Sequence, residues 1–127
     1  MDNIQLMQGD CLELMKQIPD GSIDMILCDL PYGVTRNKWD TIIPLDSLWS
    51  EYDRITKENA AVLLFSSGLF TAKLMMSNHK QWRYNLVWDK VLTSGFLNAN
   101  RMPLRQYENI CVFYKNPQFI TRKNEKG

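Results

Sequence analysis

Histidine is nearly absent from this 127-residue chain, where His79 stands alone, and cysteine is sparse, at Cys11, Cys28 and Cys111. One imidazole set among Ser77, Asn78 and Lys80 reads as a surface group and leaves no Ser-His-Asp or Cys-His set to assemble. The cysteines keep no CxxC spacing, so with one histidine they make no tetrahedral metal site. An odd number of thiols, with no basic-then-apolar leader after Met1, is expected of a reduced, cytoplasmic protein. Glycine is scarce at six residues, and neither a GxxxxGK[ST] phosphate loop nor a GxGxxG turn occurs. The longest apolar run, Ala60–Phe65, is strand-sized and far short of the ~20 residues of a membrane span, so no membrane partner is expected.

What is present is an ordinary globular mixture, 45% hydrophobic and 23% charged, which excludes a disordered or fibrous chain. The length suits one domain, able to bury ~65–70% of its unfolded surface without disulfide or metal. Net charge is +1 but unevenly placed. Residues 1–64 carry five basic and eleven acidic side chains, residues 65–127 ten and three, so the halves stand at −6 and +7. Such asymmetry fits a nucleic-acid contact on the basic half, or solvated faces that simply differ.

Strand and helix patterns alternate. Ile4–Met7 is a short apolar run broken by Gly9-Asp10. Cys11, Leu14, Met15 and Ile18 then keep helical spacing, with Asp10 and Glu13 placed as a capping box. After the turn Pro19–Ser22, the strand Ile23–Cys28 is apolar on consecutive positions, the pattern of a strand covered on both faces. Pro44 opens a second helix through Leu45, Leu48, Trp49, Tyr52 and Ile55, closed by Lys57–Asn59. A strand at Ala60–Phe65, a helix at Phe70–Asn78 and strands at Tyr84–Trp88 and Asn109–Tyr114 follow, with a polar stretch, Asp89–Glu108, between the last two. The expectation is an α/β fold with a mostly parallel sheet and helices on both faces. One domain over 1–115 and a basic, flexible tail over 116–127 complete the reading.

The chemistry concentrates in Cys28-Asp29-Leu30-Pro31-Tyr32-Gly33. Open parallel sheets bind ligands beyond the carboxyl ends of their strands. This loop stands at such an end and carries a carboxylate, a proline-stiffened backbone and an aromatic ring. Those parts suit a flat polar ligand, the carboxylate accepting from an amino group while the ring stacks. An Asp-turn covered by a packed tyrosine would read the same. Asp10 likewise has a plain reading as a helix cap, worth ~1 kcal/mol.

Asp29-Leu30-Pro31-Tyr32 resembles the [D/N/S]-P-P-[Y/F/W] motif of amino-group DNA methyltransferases, specifically the adenine-specific β class of bacteria and phages. The resemblance extends through Gly9-Asp10-Cys11, Ser22–Cys28, Asn37–Asp40, Trp88-Asp89-Lys90 and Gln106–Lys115, nearly the whole chain. It implies a partial Rossmann-like methyltransferase fold, S-adenosylmethionine as methyl donor and double-stranded DNA as partner, in the setting of restriction–modification. By the same likeness, Asp29 and the backbone carbonyl of Leu30 accept the two hydrogens of adenine's exocyclic amine, a positioning and electrostatic contribution. Pro31 holds residue 30 extended, and Tyr32 stacks on a base flipped from the duplex. Leu30 replaces the family's usual proline, but a carbonyl is present whatever the side chain. Asp10, with Asp29, is implied at the cofactor, and Ser66-Ser67-Gly68 stands as lining for its pocket or as a plain turn. Lys90, Arg101 and Arg105 stand as phosphate contacts or as ordinary surface charge.

The family's Phe-x-Gly-x-Gly cofactor loop does not occur after Lys115. The resemblance therefore covers the catalytic portion. The alternatives are a split enzyme completed by a second chain, or a catalytically silent nucleic-acid-binding remnant. In the resembled fold the strand before that glycine loop lies between Ile4–Met7 and Ile23–Cys28. Two outcomes are expected of its absence: Ile4–Met7 pairs directly with Ile23–Cys28, or the chain self-associates through the open edge.

Overall fold

The computed structural model describes residues 3–33, 42–94 and 105–117. The elements run α1 (Cys11–Met15), β1 (Ile23–Cys28), α2 (Leu45–Ile55), β2 (Thr56–Ser66), α3 (Leu69–Ser77), β3 (Trp82–Ser94) and β4 (Arg105–Tyr114). Asp10 caps α1 from an extended backbone, its carboxylate accepting from the Leu12 N–H at 2.9 Å. Arg54 ties the turn after α1 to α2. Its guanidinium donates to the carbonyls of Met15 and Ile18 at 2.7 and 2.8 Å and pairs with Glu51 and Asp20, each at 2.7 Å. At the far end of α2, Lys115 donates to the carbonyls of Asp53 and Thr56 at 2.8 and 3.0 Å, a cation where the helix dipole favours one.

The strand order is β1-β2-β4-β3. β1 pairs parallel with β2, Cys28 standing opposite Leu64, while β4 runs antiparallel to both of its neighbours. Of three pairings one is parallel, so the sheet is mixed rather than mostly parallel. The cause is the link from β3 to β4. A parallel return needs a crossover of a dozen or more residues, usually a helix, and no helical pattern separates these strands. Both also run further than their apolar cores. Asp89–Ser94 and Arg105–Glu108, expected as loop, are strand arms with Ser94 opposite Arg105.

The three helices among the described residues pack on one face, where helices on both were expected. Met15, Leu48, Trp49, Tyr52, Ile55, Phe70 and Leu74 share a single cluster with Val62, Leu64, Cys111 and Phe113. Trp49 sets its ring edge-on to Phe113 at 4.6 Å. On the other face Met25 and Leu27 are 51% and 58% exposed, and Tyr84, Leu86 and Trp88 are open as well. The consecutive apolar run of β1 is thus half uncovered among the described residues. Ile4–Met7 forms no strand and pairs with nothing in the sheet, Leu6 being 92% exposed, so among the described residues nothing pairs with the outer edge of β1. Of the expected tail, Asn116 is held by Glu58 at 3.1 Å, and residues 118–127 lie outside the described residues.

Candidate active site at the carboxyl ends of the strands

Asp29, Leu30, Pro31 and Tyr32 leave the carboxyl end of β1, where the sequence places them. Leu30 is buried in the helical core, which fixes the loop's backbone from below. Pro31 and Tyr32 are half-buried and Asp29 is exposed at the rim. Gly33 follows at φ 73°, and a Cβ there would lie 2.5 Å from Ile42 Cγ1. Glycine therefore lets the two ends of the connection to α2 close against each other.

The Tyr32 ring lies on Phe70 of α3, centroids 4.9 Å apart and tilted 30°, so one of its faces is occupied. Its hydroxyl is buried with no hydrogen-bond partner of good geometry among the described residues. Burial, then the charges of Glu108 and Asp29, push that phenol far above its ordinary pKa and keep it a proton donor. The Asp29 carboxyl is also raised, by burial first and by Glu108 second, against the lowering influence of Tyr32 and Lys90.

Glu108 and Lys90 come from neighbouring strands, Glu108 on β4 and Lys90 two residues beyond its cross-strand partner Trp88. They form an ion pair at 2.7 Å, with side chains 17% and 26% exposed. The Lys90 ammonium also lies over the Trp88 ring at 5.7 Å, and Phe65 packs edge-on against that ring at 5.4 Å. Asn109 points to the helical side. Its amide reaches Thr71 at 3.5 Å, Thr71 donates to Ser66 at 2.9 Å, and Ser66 meets Cys111 at 3.4 Å. This polar chain floors a cleft of about 380 Å³ whose walls include Ser67, Met75 and Tyr107.

Asp10 stands across a second groove of about 490 Å³ from Pro31, with Leu12, Ile43 and Pro44 as apolar walls. Apolar walls beside one carboxylate suit the adenosine end of S-adenosylmethionine. One oxygen of Asp10 caps α1. Nothing among these residues matches the methionine end.

The structure thus brings Asp29–Tyr32, Lys90 and, through Pro31, Asp10 to one end of the sheet. Arg105 begins β4 opposite Ser94, and Arg101 lies outside the described residues. His79 is exposed beyond α3. Sequence reasoning gave no role to Glu108, Asn109, Thr71 or Phe70. The missing helical pattern between β3 and β4 signals a hairpin, and a hairpin would have carried Glu108 back to the site.

No family model matches the sequence. The type II methyltransferase M.HinfI of Haemophilus influenzae is 28% identical across an alignment of 111 positions that covers 67% of this chain and 31% of that protein. The solved PvuII DNA methyltransferase, cytosine-N4-specific, superposes with a TM-score of 0.67 at 13% identity, over 85% of this chain and 48% of that one. The fold is therefore part of the methyltransferase α/β fold. The chain spans about a third of the one relative and half of the other.

Proposed function

We propose that this chain is the catalytic portion of a DNA methyltransferase that moves a methyl group from S-adenosylmethionine to the exocyclic amine of adenine in double-stranded DNA. The observation that carries the reading is the Asp29–Tyr32 loop at the end of β1, on a methyltransferase fold, with Asp10 across one groove from Pro31. When bound, S-adenosylmethionine supplies an electron-poor methyl group. The amine's lone pair is delocalised into the base ring, so the protein must free it. Asp29 and the Leu30 carbonyl accept the two amino hydrogens and hold the nitrogen in a geometry that exposes that pair. The base stacks on the Tyr32 face opposite Phe70, and the Tyr32 hydroxyl keeps its proton beside Asp29. Arg101 and Arg105 meet phosphates.

Cytosine N4 is the second reading, favoured by the specificity of the PvuII enzyme that shares the fold. Methylation with labelled S-adenosylmethionine and duplex DNA, followed by nucleoside mass spectrometry, decides between them. N6-methyladenine is expected. N4-methylcytosine moves the assignment to the second reading. No methylated base, from this chain alone or with a chain supplying the glycine loop, refutes both.

A further inference from the structure

Lys90 does not stand as a free surface cation. Its side chain is three-quarters buried, its ammonium is bonded to Glu108 at 2.7 Å, and the Trp88 ring lies beneath it. A phosphate would have to break that pair first. Glu108 is more deeply buried still, and the register brings it to the end of the sheet where Asp29 leaves β1: Cys28 stands opposite Leu64, Ser66 opposite Asn109, and Glu108 opposite Trp88. Two carboxylates therefore face one rim of the sheet. An acceptor for an amine must be ionised, and like charges in one site push a proton onto one of them.

We propose that Lys90 and Glu108 are positioning residues of the amine pocket: Lys90 holds the Glu108 carboxylate against the sheet and balances its charge, leaving Asp29 as the single uncompensated acceptor facing the substrate. The consequence for methylation rests on the function proposed above; the charge balance itself does not. Among the described residues, the titratable groups that act on Asp29 are Cys28 on the strand before it, Tyr32 on its own loop, Glu108 on β4 and Lys90 on β3. Lys90 alone among them carries positive charge. The Glu108 carboxylate is immobilised from one side by the ion pair, and Lys90 is immobilised from two, by Glu108 and by Trp88. The pair thus has a fixed geometry that a mobile surface lysine would lack, and Phe65 fixes the indole in turn.

A pair that only stapled β3 to β4 would affect stability and leave Asp29 alone. Carbon-detected NMR titration of the Asp29 carboxyl, in the chain without DNA or cofactor, separates the two roles. Lys90→Met should raise the Asp29 midpoint by about one pH unit, a tenfold change in protonation. Glu108→Gln should lower it, the double variant should return it near wild type, and Lys90→Arg should restore it. A midpoint in Lys90→Met within about 0.3 unit of wild type overturns the proposal, given that a neighbouring charge normally moves a carboxyl by more. So does a double variant that titrates like Lys90→Met. If Lys90→Met does not fold, Glu108→Gln decides alone: a lowered midpoint supports the balance and an unchanged one refutes it. The titration needs no turnover, so it can fail while methylation stands, and stand while methylation fails.

Discussion

Thr71→Val tests the polar chain that anchors α3 to the sheet beneath the candidate pocket. Valine has the shape of threonine, so the change opens no cavity and removes one hydroxyl from a residue 8% exposed. Ser66, fully buried, then loses the donor at 2.9 Å and keeps the Cys111 sulfur at 3.4 Å, a weak partner. A neutral hydrogen bond contributes ~1 kcal/mol net, and an under-satisfied buried hydroxyl costs ~1–3 kcal/mol. The sulfur recovers part of the second figure, so the expected loss is ~1–2 kcal/mol. For a domain of this size that corresponds to a fall in Tm of roughly 4–8 °C. Urea unfolding should show the midpoint falling at constant m. Combined with Ser66→Ala, the two losses should fail to add by ~1 kcal/mol, because both variants break the same bond. A Thr71→Val cost below ~0.3 kcal/mol, or a strictly additive double variant, would show that the chain contributes nothing.

Asp29→Ala should lower methyl transfer ~10²–10³-fold with the circular dichroism spectrum unchanged; activity within a factor of ten of wild type would remove Asp29 from its role. Phe113→Ala empties a fully buried site beside Trp49 and should cost ~3–5 kcal/mol in urea unfolding. A loss under ~1.5 kcal/mol would mean that the cluster collapses around the gap. On the alkaline side, burial raises Cys28, Cys111, Tyr32 and Tyr52 above their unfolded values. Their protonated forms therefore stabilise the fold fully below the unfolded pKa values of roughly 8.5 for Cys and 10 for Tyr, and less as pH rises through the folded ones. The urea midpoint should fall from pH 7.5 to pH 10, and equal midpoints would contradict the burial of these groups.

Periodicity carried the helices well, because α2 sets Leu48, Trp49, Tyr52 and Ile55 on one stripe and the structure buries that stripe. It carried β1 only in part. A run such as Met25–Cys28 records that both sides of a strand are apolar, and one side is covered by the described residues. Lys57–Asn59 read as a helix end, yet they belong to β2, bulging past β1 between Ile23 and Met25 with Lys57 paired to Asp24 at 2.8 Å. Polar composition misled again at Asp89–Ser94, because a hairpin arm and a loop can share one composition. The position of Asp29–Tyr32 beyond a strand end was legible because the loop and the strand are adjacent in sequence. Glu108 was not, since its place depends on register with Trp88, twenty residues earlier, and no local pattern encodes register across a hairpin.

The position of β4 has a mechanical consequence. The last of the described strands lies between β2 and β3, and it brings Cys111 and Phe113 into the core. While a ribosome extrudes the polypeptide, β2 has β1 as its only neighbour among the described strands, and β3 has none of them, until residue 105 onward has emerged. A two-stranded sheet is marginal in water, so before that moment the sheet rests on the helices packed against β2. The hairpin of β3 and β4 is the locally connected unit and then docks as one piece along β2. Tension applied to the C-terminal end acts in reverse. It draws on the strand that joins both halves of the sheet, and once β4 slides out, β3 and the helical core part in a single event.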